Sequence, residues 1–321
     1  MSDHGTDDGA RIASDEERAS ELAIILEDAD EAYADRCYEE AFELYSEALA
    51  IEPDDPHAIL WRALSFAWEG TVKDNRIVEL DAAANDALSL FRELHGASSS
   101  YFDFCNEAIG QIAMITTATT QMFIKFHNDP SFENPLSLMA PGSLSFLKEF
   151  AHKGVSDCCD IVQSTIIHMT DGIDDFSEAD ERFFANLIAL LENAQTYRER
   201  ALMSRDPRLR MRIDYVERLS EEWKRDRIER YLRQDPEADR QCLAIKGEMD
   251  SLEQVLESLD ERIDECRKAV SSLGPFKRGE KKRLHSELNE LEAEAYGKRS
   301  RIRELRGRMS EIVMPALVEG R

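Results

Sequence analysis

The 321-residue sequence contains no phosphate-cradling GxxxxGKS/T, no GxGxxG, no HExxH and no GxSxG. Nucleotide, dinucleotide, zinc-protease and nucleophile-elbow chemistries therefore have no recognisable carrier, and no catalytic residue is assigned. The six cysteines, at 37, 105, 158, 159, 242 and 266, include no CxxC pair. Cys158 and Cys159 are neighbours that point in different directions on a helix, which suits packing rather than a disulfide, and reduced thiols are expected. The seven histidines have no ligand spacing, and His152 with Cys159, which can share a helix face, reads as a core or surface pair. No cofactor and no metal are expected.

Long apolar runs are also missing. The uncharged stretch AIGQIAMITTATTQMFI, residues 108 to 124, is 17 residues long and includes four threonines and two glutamines. A spanning helix needs about 20 mainly apolar residues, so a buried central helix is expected. Met1 is followed by SDHGTDDGARIASDEE, with no cationic start and no apolar leader. A cytoplasmic location is expected.

Positive charge is scarce as well, with 40 Lys and Arg against 66 Asp and Glu, a net charge of −26. The deficit is uneven: residues 1 to 60 carry −16, 61 to 200 carry −11, and 201 to 321 carry +1. Such a field repels nucleic acid and anionic membrane from the first two hundred residues and favours basic ligands there. The acid-rich DGIDDFSEADE, 171 to 181, lacks the DxDxDG order of a calcium loop and reads as helix capping.

No run alternates with period two between hairpin turns, whereas nearly every segment has a helical period, so the class is all-α. After a polar, disordered tail at 1 to 17, helices are expected near 18–34, 38–51, 57–69, 77–95, 99–127, 143–169, 177–204, 207–233, 236–272 and 281–313. Asp55-Pro56, Ser177 with Glu178 and Asp180, Asp206-Pro207 and Asp235-Pro236 mark four of the starts. The expected domains are a helical body at 18–205, a connecting helix at 206–235 and a two-helix arm at 236–321.

In YEEAFELYSEALAIEPDDP, Tyr38, Ala41, Tyr45, Ala48 and Pro53 follow small Ala29 at the helix-crossing position. Ala63, Phe66 and Gly70 lie 34 residues after Ala29, Ala32 and Arg36. This stretch resembles a tetratricopeptide repeat over about residues 29 to 70, with Ala32 departing from the usual aromatic and the register lost after Gly70. The resemblance implies a helical repeat or bundle whose first helices line a peptide groove. By position that groove would present Leu26, Asp30 and Tyr33, then His57, Leu64 and Trp68. Some family members clamp a C-terminal carboxylate there with lysine. Here a carboxylate would meet Asp30, so a basic or apolar peptide segment is expected.

Beyond Pro236, apolar residues from Cys242 to Leu273 alternate in steps of three and four, and a second such series runs from Leu284 to Ile312. Reflected about residue 277 they superimpose, which predicts an antiparallel coiled-coil hairpin about 47 Å long. Gly274, Pro275 and Gly279 supply its turn. LGPFKRGEKKRL, 273 to 284, then sets Lys277, Arg278, Lys281, Lys282 and Arg283 at the tip, as a contact for an anionic partner. LGPFKRGEKK also resembles a turn segment of bacterial helical proteins, which implies a bacterial setting. Charges favour pairing of the basal half of the arm. In its upper half, Glu287, Glu290, Glu292 and Glu294 lie across from Asp260, Glu261, Asp264 and Glu265, an unfavourable arrangement.

The expected function is a non-enzymatic adaptor with one or more protein partners and no small-molecule substrate. Nucleic-acid or anionic-membrane binding through the tip, and a dimer formed by an intermolecular coiled coil, are the alternatives.

Overall fold

A computed structural model describes the backbone of residues 7–127, 143–273 and 277–318, and the side chains of 17–126, 149–273 and 277–318. Among the described residues it contains ten α-helices and no strand. They are α1 (Asp7–Ala34), α2 (Tyr38–Ile51), α3 (Pro56–Trp68), α4 (Ile77–His95) and α5 (Ser99–His127), followed by α6 (Ser143–Thr170), α7 (Glu181–Leu202), α8 (Pro207–Gln234), α9 (Pro236–Ser272) and α10 (Arg278–Val318). The chain divides into two compact units, 1–221 and 222–321, with the division inside α8.

Local chemistry accounts for the starts. The Asp55, Asp180 and Asp235 side chains accept hydrogen bonds from the first free N–H groups of α3, α7 and α9, and Pro56 and Pro236 occupy first-turn positions where no N–H is missed. Asp180 thereby moves the start of α7 to Glu181 from the expected 177, and Asp175 turns back on Ser177 instead. At the other end of the chain, α1 is already helical from Asp7, where a disordered tail through residue 17 was expected; residues 1 to 6 lie outside the described residues. The last helix also runs beyond 313, passing Pro315 to Val318. Buried Val313 and Ala316 hold that final turn, and Arg227 donates to the Ala316 carbonyl at 3.0 Å.

In the first unit, α1 to α4 pack each on the next, a succession compatible with a helical repeat. Ala29, Ala41 and Ala48 are fully buried, and their small side chains let the helices approach while Tyr45 fills the gap between them. The uncharged α5 is the central element, touching α3, α4, α6 and α7. Its Thr116 hydroxyl donates to the Ile112 carbonyl at 2.6 Å, which satisfies one polar group in that interior. Among the described residues, no helix is long and apolar enough to cross a membrane.

In the second unit, α9 and α10 pack on each other. Polar contacts between them join Arg301 to Glu248 and Arg306 to Glu253, both 53 residues apart; Arg299 to Asp260, 39 apart; and Arg267 to Glu292, 25 apart. Separation that shrinks steadily toward the turn means the helices are antiparallel. Leu259, Ile263, Leu291 and Ala295 form the buried centre of the contact, flanked by Leu256 and Leu288. Arg267 and Arg299 relieve part of the unfavourable arrangement of the upper half, pairing with Glu292 and Asp260 on the opposite helix. Of the expected turn residues, Gly274 and Pro275 lie outside the described residues, and Gly279 lies inside α10, which begins at Arg278 and not at the expected 281.

Candidate functional site

A pocket of about 670 Å³ opens between α1, α2, α3 and α5 in the first unit. Its walls are aromatic. Tyr38 and Trp68 stack in parallel with ring centroids 5.4 Å apart, Tyr33 meets Tyr38 edge-on at 5.5 Å, and His57 lies flat on Trp61 at 4.2 Å. A hydrogen-bond relay stiffens one side: the Trp68 indole N–H donates to the Tyr33 hydroxyl at 3.1 Å, and that hydroxyl donates to Gln111 Oε1 at 3.0 Å. Burial pushes the Tyr33 phenol up to about 12, against the pull of the Trp68 hydrogen bond, so it keeps the proton that the relay requires.

The rim is acidic. Asp30 and Glu107 both line the pocket and both are exposed, with one cation, Arg36, beside them. Asp30 Oδ1 accepts from the buried Tyr45 hydroxyl at 2.5 Å and lies 2.7 Å from His57 Nε2, which must carry its proton to bond an ionised carboxylate. Partial burial raises the Asp30 carboxyl, but the hydrogen bonds from His57 and Tyr45 and the charge of His57 outweigh it, so Asp30 is held below its ordinary value. A carboxyl that ionises more readily in the folded state contributes stability that is complete above the unfolded value, about 3.9, and disappears as pH falls through the folded value. Urea midpoints of wild type and Asp30→Asn are therefore expected to differ most above about pH 4 and to converge in more acidic buffer. A constant difference across that range would refute the assignment.

Arg36 sits at a telling place. Its φ is 64°, and the Cys37 N–H bonds the Ala32 carbonyl at 2.9 Å while the Arg36 N–H bonds that of Tyr33 at 3.0 Å. This pair of bonds is a Schellman motif, and arginine occupies the left-handed position that glycine prefers.

Of the residues expected from sequence to line a groove, Asp30, Tyr33, His57 and Trp68 are brought together here. Leu64 is fully buried on the core side of α3, and Leu26 is half-buried and does not line the pocket. On α3 the lining residues His57, Trp61 and Trp68 follow one stripe, and Leu60, Leu64 and Ala67 follow the adjacent stripe that packs inward. Sequence reading missed Trp61 and Tyr38 as lining residues, along with Glu107, Gln111 and Met114 of α5. The last three recur at helical spacing on one face of an otherwise weakly polar helix, which is the signal that could have marked them.

The second candidate surface is the start of α10. Lys277, Arg278, Lys281, Lys282 and Arg283 are all exposed. Lys277 pairs with Glu280 at 3.2 Å, and no carboxylate is within ion-pair distance of the other four among the described residues. Arg278 is the first residue of its helix, so these cations crowd the positive end of the helix dipole, a placement unfavourable by roughly 0.3 to 1 kcal/mol per nearby charge. Helix stability thus gives no reason for the cluster.

Among the described residues no three His, Cys, Asp or Glu side chains could share a metal ion. Cys158 and Cys159 are buried, and burial raises their thiols to about 12 and about 11, which keeps them protonated and unreactive. In the acidic segment at 171–181, Asp180 caps α7 and Asp171 pairs with Arg212 of α8.

No protein-family model, curated protein or solved structure matches the chain. What the fold and its surfaces define is a class: an all-α protein in two units, the first carrying an aromatic pocket with an acidic rim.

Proposed function

We propose that the chain is a non-enzymatic adaptor of the cytoplasm. Its tetratricopeptide-like body holds a basic or apolar peptide segment of a protein partner, and its coiled-coil arm offers a cationic tip to an anionic partner. The observation that carries this reading is the pocket itself, where aromatic walls meet two exposed carboxylates and one cation. A surface of this composition attracts basic chain and rejects acidic chain, and the tip does the reverse, so each site excludes the other's ligand. The buried alanines of α1 and α2 support the repeat assignment, and the matched seam of α9 and α10 supports the coiled coil.

The four tip cations without a carboxylate partner also favour a second reading, contact with nucleic acid or an anionic membrane. Apolar pairing of Leu259 and Ile263 with Leu291 and Ala295 within one chain supports a self-contained arm over an intermolecular one.

The test uses the full-length protein against arrays of basic, apolar and acidic peptides, and against duplex DNA and anionic vesicles at two salt concentrations. Basic or apolar peptides should be retained and acidic peptides rejected, with the pattern unaltered when Lys277, Lys281 and Lys282 are all changed to Glu. Equal retention of acidic peptides, or none of any class, overturns the body's role. Loss of DNA or vesicle binding in that triple variant alone assigns the tip to the second reading.

A further inference from the structure

The pocket is more specific than a groove for basic chain. We infer that it is built to receive one arginine side chain of the partner segment, an inference that rests on the peptide-binding reading above and sharpens it. Three features meet in one place. Tyr38 and Trp68, stacked on each other 8° from parallel, belong to a mainly aromatic wall with Tyr33, His57 and Trp61. A guanidinium is planar and weakly hydrated, so it stacks on such a wall where an ammonium keeps its water. Asp30 and Glu107 supply carboxylates, and a guanidinium has five donors in a fixed fork to satisfy them.

The pocket is also prepared for the ligand before it arrives. The relay from Trp68 through Tyr33 to Gln111 fixes the wall, and Tyr45 and His57 hold Asp30 Oδ1 in place. Little side-chain order is then lost on binding. Among the described residues Glu107 makes no ion pair, and its charge is felt by the buried Tyr45 phenol, which burial chiefly, with Asp30 and Glu107 adding, raises far above its ordinary value. Arg36 is the opposing group. Its charge lies close enough to Tyr38 to act against the rise that burial imposes on that phenol. With His57 neutral, Arg36 is the one cation against the two carboxylates, and removing it should strengthen the site.

The experiment titrates the full chain with capped pentapeptides that differ only at the centre, which is arginine, lysine or norleucine within glycine and serine. Binding is read by calorimetry and by tryptophan fluorescence, since Trp61 and Trp68, two of the three tryptophans, line the pocket. Arginine should bind about tenfold more tightly than norleucine and several-fold more tightly than lysine. Glu107→Gln, at an exposed position, should weaken the arginine peptide by about threefold to fivefold, Tyr38→Leu by about tenfold, and Arg36→Gln should strengthen it. Equal affinity for arginine and norleucine, with fluorescence still responding, overturns the inference while leaving a peptide groove in place. Equal affinity for arginine and lysine overturns the choice of guanidinium. Binding that leaves fluorescence unchanged and ignores Glu107→Gln overturns the pocket as the site. If basic peptides of every length fail to bind, the peptide-binding reading falls with it.

Discussion

Replacing Gly154 with valine is expected to destabilise the first unit by about 3 kcal/mol or more, whereas replacing Gly110 with alanine should stabilise it by up to about 1 kcal/mol. Both glycines lie inside helices, α6 and α5, and by helix propensity alone both should gain from a side chain. Their surroundings differ. A Cβ at Gly154 would fall 2.3 Å from the Phe123 ring, and a Cβ at Gly110 would meet nothing within 4 Å. The ring cannot move aside, because Phe123 is fully buried with Ala151 and Val155, and Met122, Phe126 and Phe150 pack against the same cluster. Gly154→Ala should show the smaller net loss of about 1 to 2 kcal/mol, overpacking less the propensity gain. Urea midpoints of the three variants decide the matter. A stabilised Gly154→Ala would mean that α5 and α6 do not approach as closely as described.

Ile263→Asp is expected to cost the second unit about 3 to 5 kcal/mol, enough to unfold a contact between two helices, while the first unit stays folded. Ile263 is 4% exposed against Leu259, Leu291 and Ala295, and no cationic side chain is within that cluster to accept the new charge. The neighbouring seam has little reserve, since Met249, Leu252, Leu256 and Leu288 are only half-buried. Two compact units permit two transitions, so the early loss should appear as a partial fall in helical circular dichroism and as protease sensitivity confined to residues beyond about 222. Ile263→Val, which removes one methylene, should cost about 1 kcal/mol and give no separate transition. A single cooperative loss in Ile263→Asp would show that the two units unfold together.

Much of the fold was legible from the chain because the informative interactions are short-range. Asp55, Asp206 and Asp235 before proline marked helix starts that their carboxylates do cap, through Ala58, Arg208 and Ala238. The three-four spacing of Leu259, Ile263, Leu291 and Ala295 marked a buried stripe on each of two helices, and reflection about the turn matched them. The errors have one local and one distant origin. Ser177, Glu178 and Asp180 can all cap a helix, and the geometry of Phe183 N–H chose Asp180. Pro315 normally ends a helix, and the Arg227 contact with the Ala316 carbonyl belongs to a partner 89 residues away.

The candidate site divides the same way. The sequence by itself determined an all-α chain, an acidic N-terminal half, a cationic cluster at 277–283 and aromatic residues along α1 to α3, because period, caps and charge are properties of neighbouring residues. Only the tertiary structure decided that Glu107, Gln111 and Met114 of α5 complete the pocket, that Leu64 turns into the core, that Arg267 relieves the acids of the arm, and that Gly154 lies under Phe123. Each of those depends on where a distant helix comes to rest, and that is settled by shape and burial summed over the whole core, which no window of sequence contains.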